Sequence, residues 1–176
     1  MTTIWEKNAL FDVRKWIIAS LTSSGISGVT GYNNIMVPVQ QVPIINDADV
    51  PTPLGGTGDP PQIVYDLIGT AYANTDDFWT KSDDVSLWIY SSNFKQAMTI
   101  KEFLVDLLGR SDLSARDLNS YNVTNSTGSP FTYQYFELTG GQPTDEAKQE
   151  FDRIGINMTF AYCYTRPLSA TGRFAS

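Results

Sequence analysis

Apolar residues recur at helical spacing near the start of the chain. Trp5, Ala9, Leu10, Val13, Trp16, Ile17 and Leu21 fall on one face of a 3.6-residue repeat. Thr3-Ile-Trp-Glu6 fits a capping box, in which Thr3 and Glu6 each satisfy an orphan backbone N–H. Ser23-Ser24-Gly25 supplies the stop, with Gly25 free to turn left-handed. Near the other end, Ile154, Ile156, Met158, Phe160, Tyr162 and Tyr164 alternate with Gly155, Asn157, Thr159, Ala161 and Cys163. Strict period-two alternation of this length predicts a strand with two chemically different faces. A third signal lies between them: Val85, Leu87 and Ile89 face one way and Ser86, Trp88 and Tyr90 the other, with Lys81-Ser-Asp-Asp84 read as the turn before that strand. A second helix follows, capped by Ser92 or Asn93 and ended by Gly109. Its buried stripe is Ala97, Ile100, Phe103, Leu104, Leu107 and Leu108.

Weaker signals complete the order. Residues 62–72 and 131–138 read as strands, the second pairing antiparallel with the strand from Ile154. Residues 35–45 are strand-like, but Pro38 and Pro43 lack a donor and confine the segment to a sheet edge. Residues 46–61 hold four prolines and three glycines, which preclude regular structure and leave an exposed loop or arm. Residues 111–130 are polar, with one helical turn near 114–118, and residues 167–176 leave the domain as a flexible tail. The fold expected is α+β: a mainly antiparallel sheet of four to five strands, with an N-terminal and a central helix on one face, in a single domain spanning residues 1–176.

Charge and composition narrow the function. Charged residues make up 18% of the chain, below the roughly 25% of an average domain, and aromatics make up 12%. A surface of this kind suits protein contacts. The net charge is −7 and the 12 basic residues are scattered, so clustered cations for holding phosphates are missing and specific nucleic-acid binding is not expected. The same acidity disfavours an anionic membrane surface. No apolar run approaches the roughly 20 residues of a spanning helix, and the N-terminus lacks the pattern of a secretory signal, which places the chain in the cytosol or in a particle assembled there.

Candidate chemistry is sparse. The chain has no histidine, so no Ser-His-Asp or Cys-His device can be built within it. Cys163 sits mid-strand among aromatic residues and reads as a buried, inert thiol. Gly55-Gly-Thr-Gly58 lacks the Lys-Ser/Thr of a phosphate loop. Asp76-Asp77 and Asp83-Asp84 have no calcium-loop spacing and read as turns. No catalytic residue, cofactor or metal is expected. Tyr133, Tyr135, Tyr162 and Tyr164 admit two readings, a sugar-stacking platform of a carbohydrate-binding or adhesin-type module, or cross-strand packing; packing is preferred.

Residues 61–166 carry a resemblance to a known family. They run Pro-Gln-Ile-Val-Tyr65, then Asp84-Val-Ser-Leu-Trp-Ile-Tyr-Ser91, then the helix from Asn93 to Leu108, and close on strands near Phe131–Phe136 and Ile154–Tyr164. With a leading helix, this order resembles the tail-terminator (tail-completion) proteins of the neck of long-tailed bacteriophages, which share element order more than residue identities. The resemblance implies a structural virion protein and not an enzyme: a homohexameric ring, assembled in the host cytoplasm, that caps the tail tube. Its implied partners are the tail tube protein, the head-completion or connector protein and the tail sheath, with DNA passing through unbound. On that reading Asp76, Asp77, Asp83 and Asp84 face the lumen or a partner ring, and the loop around Val50, Leu54 and Asp59 reaches a neighbour.

Overall fold

The computed structural model describes residues 5–24, 36–38, 62–74, 78–91, 94–141, 143–144 and 154–167. In chain order these form α1 (Trp5–Ser24), β1 (Met36–Pro38), β2 (Gln62–Asn74), β3 (Phe78–Ser91), α2 (Phe94–Leu108), α3 (Asp112–Thr124), β4 (Thr132–Gly140), β5 (Pro143–Thr144) and β6 (Ile154–Pro167). The strands run in the order β1-β2-β3-β6-β4, and β5 also pairs β6. The four long strands are antiparallel throughout; β1 is parallel to β2 and lies at the edge, as its proline requires.

The alternation read from the sequence divides the sheet. Val85, Leu87 and Ile89 stand opposite Phe160, Met158 and Ile156, and all six are buried. They join Ile63 and Phe136 in one core with residues from all three helices. The fold is therefore α+β, with every described helix on the same face of the sheet. α1 buries Ala9, Leu10, Val13, Trp16, Ile17 and Leu21, and α2 buries Ala97, Ile100, Leu104, Leu107 and Leu108, the stripes expected apart from Phe103, which is only partly buried, and Trp5, whose side chain lies outside the described residues. Trp16 reaches Phe136 at 5.7 Å between ring centroids. The capping box at Thr3, the stop at Gly25, the arm at 46–61 and the tail beyond 167 lie outside the described residues.

Two expectations are corrected. Lys81-Ser-Asp-Asp84 is not a turn but part of β3, because the antiparallel register with β2 runs on past it to Asn74 opposite Trp79. The single turn near 114–118 is the 13-residue helix α3. Its apolar burial is small, Ala115 and Leu118 beside the polar Ser114 and Asn122, so hydrophobic periodicity does not reveal it. Polar contacts hold it instead. The Ser114 hydroxyl donates to the Leu107 carbonyl at 2.6 Å and accepts from the Arg110 N–H at 3.2 Å, joining the end of α2 to the start of α3. Arg110 pairs with Asp117 at 2.7 Å and Arg116 with Asp112 at 3.2 Å. Gly109 makes the corner possible, since a Cβ there would sit 2.5 Å from the Val105 carbonyl oxygen and 2.9 Å from Leu138 Cδ1.

Candidate functional site: a sealed polar cluster and an open acidic face

The two faces of the sheet carry different chemistry. Under the helices, the odd-numbered face of β3 continues from Val85 back through Asp83 and Lys81, both with 0% exposure. Lys81 Nζ lies 3.4 Å from Asp83 Oδ1. The Tyr162 hydroxyl donates to Asp83 Oδ2 at 3.0 Å and the Thr70 hydroxyl to Oδ1 at 3.1 Å. The register explains the meeting: Lys81 stands opposite Tyr164, and Asp83 opposite Tyr162 on one side and Thr70 on the other. Tyr133 lies beside Tyr162 and Tyr164, each at 6.0 Å between centroids. Its hydroxyl is 2.9 Å from the Ala9 carbonyl and 3.2 Å from Asp12 Oδ2. Ring packing thus joins this group to Tyr133, whose hydroxyl ties α1 to β4.

Burial governs the protonation of this cluster. Desolvation raises the Asp83 carboxyl above the usual carboxylate range, against the pull of Lys81 and of hydrogen bonds from Tyr162, Thr70 and Tyr164. Desolvation likewise raises Asp12, opposed by hydrogen bonds from Ser129 and Tyr133 and by the charge of Lys15. Tyr162 and Tyr133 are pushed well above the ordinary phenol value, first by burial and then by the carboxylates of Asp83 and Asp12. A carboxyl whose folded pKa is raised binds its proton more tightly in the folded chain. Its stabilisation is full below about pH 4 and is lost as the pH climbs through the raised value. Chemical denaturation across pH 4–7 is therefore expected to show a stability component that declines with rising pH, and Asp83→Asn is expected to remove the Asp83 part of that slope.

Lys81 and Asp83 of this cluster are fully buried in the protomer. Among the described residues, no three of His, Cys, Asp and Glu gather as a metal site, and no helix is long and apolar enough to cross a membrane. Cys163 is buried and its thiol is raised by burial and by Asp83, with a hydrogen bond from Tyr135 opposing, which fits an unreactive thiol. Of the four tyrosines, Tyr133, Tyr162 and Tyr164 are 3% exposed or less and Tyr135, at 40%, reaches the surface. The three buried rings pack across the strands, the preferred reading.

The opposite face is partly exposed: Asp84 is exposed, most of its neighbours are half-buried, and Val64, Ala161 and Cys163 are buried. It presents Ser82, Asp84, Ser86, Trp88 and Tyr90 from β3 and Asn157, Thr159, Ala161, Cys163 and Thr165 from β6. Short polar side chains lace it. Asn157 donates to Ser86 at 2.9 Å and to the Leu87 carbonyl at 3.2 Å, Thr139 bonds Thr159 at 2.8 Å, and Gln134 bonds Thr165 at 3.3 Å. Trp88 and Tyr90 stack at 6.2 Å with 14° between planes. Three carboxylates share this face. Asp66 is opposite Ser86, and Asp84 and Glu137 both stand opposite Ala161, one on each side. The Asp84 carboxylate leans over Gly69, where an added Cβ would meet Oδ2 at 3.3 Å. No Lys or Arg occupies this face among the described residues.

The expected contact residues therefore separate. Asp83 is corrected: it is enclosed by its own protomer and presents nothing to a lumen or a neighbour. Asp84 is exposed, on the opposite side of β3. Val50, Leu54, Asp59, Asp76 and Asp77 lie outside the described residues. Asp66 and Glu137 were not singled out by sequence, because only the pairing register brings them onto the face of Asp84.

No protein-family model matches the chain, and no curated protein matches it. Among solved structures it is similar to a chain described as "Virion of native gene transfer agent (GTA) particle", at 10% identity and a TM-score of 0.48, over 85% of this chain and 91% of that one. A likeness this distant supports no functional statement.

Proposed function

We propose that this chain is a structural subunit of a phage neck: a ring-forming tail terminator that caps the tail tube and joins it to the head connector. The observation that carries the reading is the division of the sheet into a helix-covered face and a second, partly exposed face whose described charges are all negative. A ring of subunits repeats one heterologous contact. Six copies at −7 each build a strongly acidic body. With that second face turned inward, Asp66, Asp84 and Glu137 would line the passage, where carboxylates repel phosphates and let DNA slide. The sealed polar cluster works structurally in this reading, holding α1 and the sheet as one rigid block. The protein is no enzyme on this account; its partners are its own copies, the tail tube protein, the connector and, in a contractile tail, the sheath, and its place is the virion. The carbohydrate-binding alternative loses three of its four tyrosines to the core.

The reading is tested by mixing gold-labelled protein with purified tail tubes and viewing them by electron microscopy. Label at one end of each tube is expected. Label along the tube walls, or none on tubes, contradicts it.

A further inference from the structure

β4 closes the sheet on one side, and its outer edge should offer unpaired N–H and C=O groups. They are instead engaged by the α3 region. Asn119 Nδ2 donates to the Tyr133 carbonyl at 2.9 Å, and Asn119 Oδ1 accepts from the Tyr133 N–H at 3.0 Å. One side-chain amide thereby makes both bonds that a residue on a neighbouring strand would make. Further along, the Phe136 N–H donates to the Ser111 carbonyl at 3.2 Å. Ser111 is held at φ 53° and ψ −115°, backbone space that favours glycine, so the carbonyl bonded to β4 comes from a strained residue.

The guarded segment explains the need. Phe131-Thr-Tyr-Gln-Tyr-Phe136 has no charge, no proline and no glycine, and four of its six residues are aromatic. Six-residue segments of high β-propensity and low charge stack readily on their own kind, and two copies of this one oppose no like charges. We infer that α3 is an edge guard, in which Asn119 and Ser111 occupy the pairing positions of β4 and keep it from adding the β4 of a second copy. This conclusion is independent of the neck reading. It also directs assembly contacts away from this edge.

Asn119→Ala tests it, because alanine favours α3 while removing both bonds to Tyr133. The control is a variant of the buried Ile100, Ile100→Val or Ile100→Ala, chosen to match the loss of melting temperature. Light scattering is followed against concentration, with hydrogen exchange on the products. Asn119→Ala is expected to self-associate about tenfold faster than the matched control, with the Tyr133 and Phe136 amides protected in the assemblies. If its assembly state stays that of the unsubstituted protein, or it associates no faster than the control, the guard is overturned.

Discussion

Replacing Asp83 with alanine is expected to destabilise the chain by about 3–5 kcal/mol, among the largest effects of any single substitution. The carboxylate is fully buried and receives Lys81, Tyr162 and Thr70. Its removal takes the carboxylate away from the buried Lys81 ammonium, and breaking a buried pair from one side carries a cost of that order. In a domain of this size the melting temperature should fall by roughly 10 °C or more. The comparison that isolates the mechanism is the double variant Lys81→Met with Asp83→Leu, which exchanges the pair for apolar groups of similar volume. Such exchanges are often neutral or stabilising, so the double variant should recover most of the loss. If it is as unstable as Asp83→Ala alone, the cost comes from Thr70 and Tyr162 losing their acceptor and not from the broken ion pair.

Phe136→Ala is expected to cost a similar amount by different physics. The ring is 1% exposed and lies 5.7 Å from Trp16, 5.6 Å from Tyr162 and 6.2 Å from Phe160. It is the junction of α1, β4 and β6. Truncating a buried phenylalanine loses its transfer energy and leaves a cavity, about 3–5 kcal/mol together. Tyr135, the next residue along β4, is 40% exposed, and Tyr135→Ala should cost well under half as much. Urea unfolding followed by tryptophan fluorescence reads both variants. Equal losses at 135 and 136 would contradict the burial of Phe136 and the exposure of Tyr135.

Where the two faces of an element differ in polarity, the sequence was legible. The run from Ile154 to Tyr164 alternates because one side packs in the core with the helices and the other carries small and polar residues on the opposite face, and α1 and α2 show their stripes because one side of each meets that core. Legibility ended where burial and polarity part company. Lys81 and Asp83 look like turn residues, yet their spacing continues the buried series Val85, Leu87, Ile89. Opposite charges two residues apart on the apolar side of a strand are the signal that could have extended β3. α3 stayed hidden because Asn119 and Ser111 anchor it to the backbone of β4, and such bonds leave no apolar periodicity. Of the surface contacts expected from sequence, Asp84 stands on the partly exposed face and Asp83 does not. Asp66 and Glu137 join Asp84 only through cross-strand register, a long-range property that local pattern cannot carry.

The central claim is a ring of this subunit at the end of a tail tube, and the mass of the purified protein in solution, alone and after addition of assembled tubes, tests it most directly. A species near six times 19.5 kDa, or protein retained only by tube ends, is the predicted result. A 19.5 kDa monomer that leaves tubes untouched at every concentration would contradict it.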